Sequence, residues 1–143
     1  KKNFQIIFFG GEKMNKKEAQ IYKNANISNQ IIHLNGDDEI LKYLYLNAKV
    51  MVSTSEYEGF GLNVLEALKH DCPVVAKDIK VFRELYQNNI TYFDDEDSLQ
   101  YSLEKILSFD NKFRIDQNNL NKKFNWKNAS SEILKVYKIP KSY

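Results

Sequence analysis

Apolar positions along the chain alternate between short continuous runs and longer stretches where they recur every three or four residues. The first run is Phe4 to Phe9 (FQIIFF), closed by Gly10-Gly11. Its aromatic and β-branched content predicts a strand buried on both faces, as a parallel sheet holds. Asn15, with Glu18 three residues on, forms a capping box; Ala19, Ile21, Tyr22 and Ala25 give the following helix an apolar stripe ending near Asn26. Ile31 to Leu34 is strand-like. A helix opens at Asp37, with Asp38 and Glu39 where the positive dipole end favours acids, and is expected to bury Ile40, Leu41, Leu44, Tyr45 and Ala48.

The alternation continues. Val50 to Ser53 predicts a third strand, Leu62 to His70 a helix, and Pro73 to Ala76 (PVVA) a fourth strand with its proline at the tolerated first position. A short helix from Lys80 to Tyr86 and a strand from Thr91 to Phe93 follow. From Glu96 to Tyr137 the period is helical, with Leu99, Leu103, Ile106 and Leu107 on one face. Strands separated by helix-length segments mean right-handed βαβ units, so the expected fold is α/β: one domain over residues 1–143, a doubly wound, mostly parallel, Rossmann-like sheet with a helical C-terminal third. Such sheets bind ligands at the carboxyl ends of their strands, here the loops after Phe9, Leu34, Ser53 and Ala76.

Composition narrows the function. The 143 residues are 43% hydrophobic and 13% aromatic, enough for an ordinary core. Lys and Arg exceed Asp and Glu only by 21 to 19, so no basic footprint for nucleic acid or an anionic membrane is present. One cysteine, Cys72, excludes an internal disulfide, and with only His33 and His70 beside it no zinc site is expected. Cys72 and the two histidines read as structural, and Phe124, Trp126 and the aromatics of the first strand as core. No run approaches the roughly 20 apolar residues of a membrane span, and the start of the chain lacks a signal peptide's apolar run. A cytoplasmic setting is expected, at most peripheral to the inner membrane face in a full-length protein.

The informative segment is Ser53 to Leu68 (STSEYEGFGLNVLEAL), a loop between a buried strand and a helix. Gly59 and Gly61 flank Phe60, so the backbone is free to adopt positive φ and approach a ligand, and the helix opening at Leu62 turns its unpaired N–H groups toward the same space. Glu58 and Glu66 stand eight residues apart, one in the loop and one a turn into the helix. Carboxylates accept from vicinal hydroxyls, and helix-tip amides suit phosphate. Hydroxyls plus diphosphate describe a nucleotide sugar.

Over nearly its whole length the chain resembles the C-terminal, donor-binding domain of glycosyltransferase group 1, also called family 4, with the GT-B fold. The resemblance is carried by Phe8-Phe9-Gly10-Gly11, Leu34-Asn35-Gly36, Tyr45, Ala48, Ser55, Glu58-Gly59-Phe60-Gly61-Leu62, Glu66-Ala67, Pro73-Val74-Val75-Ala76, Glu84 and Phe124-Asn125-Trp126. The stretch from Asp78 to Glu84, with Tyr92-Phe93-Asp94, looks most like bacterial hexosyltransferases, often mannosyltransferases, of polysaccharide assembly.

That resemblance implies that Glu66 binds the ribose hydroxyls and that Glu58, as the catalytic candidate, touches the donor sugar. Amides of Gly59, Phe60 and Gly61 would meet sugar hydroxyls, and those near Leu62 and Asn63 the phosphates. Gly10 and Gly11 would admit the diphosphate or base. Glu84 is a further candidate at the donor site; Lys77, a solvated loop charge by default, is one for a phosphate. The family transfers a hexose with retention, from a nucleotide-diphosphate sugar to a glycan or lipid-linked acceptor in surface polysaccharide synthesis, without metal or other cofactor.

The chain departs from the family pattern in three places. Asn63 stands where proline is common, and Asp71 replaces the usual glycine between helix and strand, which predicts a strained or reshaped turn. The family's first strand and helix, and its N-terminal acceptor domain, would lie upstream of Lys1. The expectation is therefore that Phe4–Phe9 pairs directly with Val50–Ser53, or that a second copy of the chain completes the sheet, and that the chain alone transfers no sugar at a useful rate. A sugar-nucleotide epimerase domain, a non-catalytic nucleotide-sugar-binding partner subunit and a signalling receiver are the competing readings. The receiver is disfavoured because Glu58 and its glycines occupy the loop that should carry a phosphorylatable aspartate.

Overall fold

Asn15 performs the capping that its spacing predicts: its Oδ1 accepts from the amides of Lys17 and Glu18 at 2.9 and 3.0 Å, and Glu18 Oε2 accepts from the Asn15 amide at 2.8 Å. Helix α1 (Lys16–Asn24) follows from that cap and connects strand β1 (Ile6–Phe9) to β2 (Ile31–Leu34). The two strands are parallel, in register from Ile6 opposite Ile31 to Phe9 opposite Leu34. The computed structural model describes residues 4–108 and 115–137. Their contacts divide the chain into two units, residues 1–44 and 45–143.

In the first unit none of the described side chains is fully buried, which corrects the expectation for β1: Ile7 and Phe8 stay 40% and 41% exposed. A two-stranded pair with one short helix has too little apolar surface to cover both faces of a strand. Phe8 is covered only in part, stacking on Tyr22 of α1 and His33 of β2 with centroids 6.2 and 6.3 Å apart.

Helix α2 (Asp38–Asn47) starts where Asp37 Oδ1 accepts the Ile40 amide at 3.1 Å and runs from the first unit into the second. Of its expected apolar face only Tyr45 is buried, and Ile40 is 42% exposed.

The second unit is built on strands β3 (Met51–Ser53), β4 (Val74–Lys77) and β5 (Thr91–Phe93), all parallel, in the order β3-β4-β5. Helix α3 (Leu62–Lys69) joins β3 to β4, and α4 (Lys80–Tyr86) joins β4 to β5. Among the described residues the hydrogen-bonded neighbour of β1 is β2, within the first unit, and that of β3 is β4, within the second. Every pairing is parallel and strand and helix alternate, so the fold is α/β and Rossmann-like.

Val64, Leu65, Ala67 and Leu68 on the inner face of α3 form the core with Cys72, Val74, Val75, Ala76, Phe82, Tyr86, Ile90, Phe93 and Leu120. Burial pushes the Cys72 thiol up to about 11, which suits an inert core residue.

The helical last third comprises α5 (Glu96–Ser108), α6 (Gln117–Lys123) and α7 (Trp126–Tyr137). Residues 109–114 of that stretch lie outside the described residues. Trp126 is not core: it opens α7, a helix with no buried residue, and is 90% exposed. Phe124, just before it, is half-buried against Phe60 and Tyr86.

Two hydrogen-bond sets fasten α6. Lys123 Nζ donates to the carbonyls of Glu84 and Leu85 at 2.8 and 2.9 Å, where a cation meets the unpaired end of α4. Gln117 Nε2 donates to the Leu68 carbonyl at 2.6 Å and to Asp71 Oδ1 at 2.9 Å. Asp71 has φ +55°, the left-handed conformation that its place in a glycine position predicts.

Candidate functional site

Strand β3 ends at Ser53, and the chain crosses from Thr54 to Gly61 before α3 begins. Gly61 is the N-cap of α3, at φ +75° and ψ +58°, with no side chain to satisfy the helix's first amides. A Cβ built there would stand 2.5 Å from Phe82 Cε1, so conformation and space both require glycine. Gly59 differs. Its φ is not positive and a Cβ there would meet nothing within 4 Å, so the turn needs only one of the two glycines.

The loop is held from beneath by aromatic residues. Tyr86 is fully buried, and its hydroxyl donates to the carbonyls of Phe60 at 3.0 Å and Gly61 at 2.8 Å. Burial, and then the charge of Glu58, keep that phenol protonated well beyond the ordinary tyrosine range. The Phe60 ring meets Phe124 edge-on at 5.5 Å, and Tyr86 lies 5.8 Å from Phe124 and 5.9 Å from Phe82. Sequence reasoning counted Phe82 and Tyr86 only as part of a short helix, because periodicity marks a residue as buried without showing where its hydroxyl ends.

Helix α3 presents Leu62, Asn63 and Glu66 outward while its other face is buried. Glu66 follows Leu62 by four residues and Asn63 by three, the spacings that make helical neighbours, so its carboxylate stands on the same side as the exposed first turn. Among the described residues the amides of Gly59, Phe60, Gly61, Leu62 and Asn63 have no hydrogen-bond acceptor, whereas those of Val64 and Leu65 reach back to the Gly61 carbonyl at 3.0 and 3.2 Å. Asn63 Oδ1 accepts the Val64 amide at 2.9 Å, which a proline could not do.

Glu66 is exposed and Glu58 half-buried. The Tyr45 ring, 8% exposed, stacks on His70 at 6.1 Å, one turn along α3 from Glu66. Its phenol is pushed up to about 12 by burial, then by the charges of Glu66 and Cys72, then by hydrogen bonding to Glu66.

The second unit thus brings Glu58, Gly59, Phe60, Gly61, Leu62, Asn63 and Glu66 onto one loop and helix tip. Gly10 and Gly11 belong to the first unit, where they adopt φ +76° and +73° with room around both. The Gly10 amide donates to the Leu34 carbonyl at 2.9 Å, extending the β1–β2 ladder by one bond. Lys77 is committed locally: its ammonium donates to the Asp94 carbonyl and lies 5.8 Å from the Phe93 ring centroid. Glu84 is exposed on α4. Beside it the Arg83 guanidinium pairs through two nitrogens with Asp78 and stacks 3.8 Å over the Tyr92 ring, a clasp across the β4–α4 turn. That guanidinium holds the Asp78 carboxyl below the usual aspartate range.

Among the described residues no helix is long and apolar enough to cross a membrane.

Comparison with known proteins gives one answer. An uncharacterised glycosyltransferase of Methanocaldococcus jannaschii is 30% identical over 96% of this chain and 37% of its own length. The O-antigen chain mannosyltransferase B of Escherichia coli is 32% identical over 71% of this chain and 28% of its own length. The structure of Anabaena HepE, solved with UDP and glucose, superposes with a TM-score of 0.75 at 19% identity, over 85% of this chain and 35% of that one; it bears on the fold alone. The chain therefore spans about a third of the length of these proteins. The family model for glycosyl transferases group 1 matches residues 1–124, and the chain belongs to that family.

Proposed function

We propose that this chain is the donor-binding half of a retaining hexosyltransferase acting in surface polysaccharide synthesis. In this reading Glu66 accepts from the ribose diol. The free amides at the tip of α3 receive the diphosphate, and Glu58 with the amides of Gly59 to Gly61 contacts the donor sugar. The observation that carries the proposal is the α3 tip: amides without protein acceptors, on the same side of the helix as an exposed carboxylate. Likeness to an O-antigen mannosyltransferase supports a hexose donor.

In the reaction the bond from sugar C1 to the β-phosphate oxygen breaks, C1 bonds to an acceptor hydroxyl oxygen, and the hydroxyl proton leaves with the diphosphate. The charge developing on that diphosphate is met by backbone amides and the helix dipole, with no metal or other cofactor. Transfer also needs an acceptor-binding domain that holds the glycan or lipid-linked hydroxyl against C1, so the 143 residues by themselves bind donor and do not turn it over. The setting is the cytoplasm or the inner membrane face, where nucleotide sugars are the donors.

Calorimetric titration of the purified protein with UDP and GDP tests the reading. One of the two binds, and Glu66→Ala weakens it about tenfold or more, as loss of hydrogen bonds to a carboxylate implies. If neither nucleotide binds, or Glu66→Ala binds unchanged, the assignment is wrong.

A further inference from the structure

Tyr86 is a buried polar group that the proposed chemistry does not use. A trans peptide is planar, with its carbonyl and N–H pointing in opposite directions. The Phe60 carbonyl shares a peptide with the Gly61 amide, and the Gly61 carbonyl shares one with the Leu62 amide. Drawing both carbonyls onto one hydroxyl, at 3.0 and 2.8 Å, turns both amides away from it, and Leu62, which carries the second, is exposed. Neither has an acceptor among the described residues. The Phe82 ring fills the place a Gly61 side chain would take, so the two peptides cannot sink toward it.

Resting on the donor-site reading above, we propose that Tyr86 is a positioning residue for the donor diphosphate. Its hydroxyl fixes the aim of the Gly61 and Leu62 amides without touching the ligand. Preorganised donors bind and stabilise charge better than donors that must first be turned. Tyr86→Phe leaves the aromatic packing in place and removes the hydroxyl's bonds to both carbonyls, so the Gly61 carbonyl keeps only the Val64 and Leu65 amides and the Phe60 carbonyl loses its side-chain partner.

Tyr92 supplies a matched control. Its hydroxyl also bonds two carbonyls, those of Phe82 at 3.0 Å and Gln87 at 2.7 Å, but neither belongs to the loop. Three proteins are titrated, unmodified, Tyr86→Phe and Tyr92→Phe, each with a nucleoside diphosphate and with the matching nucleoside. The expected result is selective: Tyr86→Phe weakens the diphosphate about tenfold, the effect of one well-made hydrogen bond, and changes the nucleoside less than about twofold. Tyr92→Phe changes neither ratio.

Amide spectra of the unmodified protein give a second measurement that needs no substitution. The Gly61 and Leu62 resonances should shift with the diphosphate and stay still with the nucleoside. Equal losses for both ligands, no loss in Tyr86→Phe, or amides indifferent to the diphosphate would overturn the inference while leaving the Glu66 result standing. Failure of the diphosphate to bind the unmodified protein removes the donor-site reading and this inference together.

Discussion

At the scale of single residues, Gly61 carries the tightest constraint in the site. Its φ is +75° and the Phe82 ring edge occupies the position of the missing side chain. Gly61→Ala would impose a left-handed alanine and push against a fully buried ring, at a cost of about 2–4 kcal/mol. Chemical denaturation should show that loss, while Gly59→Ala, with open space and ordinary φ, should change stability by less than about 1 kcal/mol. Equal effects would mean that the loop is held differently. The sequence showed that this turn needs glycine but not which of the two, because the choice depends on Phe82 arriving from another helix. Asp71 was legible for a local reason: a residue between a helix end and a strand has few conformations open to it, and φ +55° is the result.

At the scale of elements, the capping box of α1, strand β2, helix α4 and strand β5 lie where hydrophobic period and cap residues place them. Local chemistry decides those features. What periodicity could not show is exposure, because it marks an apolar face without saying what covers it; β1 and Trp126 stay open for that reason. The Asp78–Arg83 clasp was also illegible, being two charges five residues apart that meet only when the β4–α4 turn folds. Its consequence is a pH dependence. The folded-state Asp78 carboxyl is depressed, so its contribution is full above the ordinary aspartate range and is lost as pH falls through the folded value, below about pH 4. Asp95, depressed by its hydrogen bonds to Ser98 at the start of α5, acts in the same window with the same sign. Melting temperatures between pH 6 and pH 3 should fall less steeply in Asp78→Asn than in the unmodified chain. Parallel curves would mean that the pair contributes nothing.

At the scale of the whole molecule, the family was legible because its signature lies in one continuous segment. Glu58 through Glu66 are close in sequence, and a strand, a glycine turn and a helix tip bring them together without long-range information. The parts that hold this segment come from α4 and from Phe124, and their roles emerge only from the folded chain. The two relatives compared extend well beyond the third of them that this chain matches.

The central claim is that the α3 tip and Glu66 form one nucleotide-sugar site. A crystal structure of the protein with the nucleoside diphosphate that binds best tests it most directly. Diphosphate oxygens are expected within hydrogen-bond distance of the Gly61, Leu62 and Asn63 amides, with both ribose hydroxyls on the Glu66 carboxylate. A nucleotide seated elsewhere, with those amides facing water and Glu66 untouched, would contradict it.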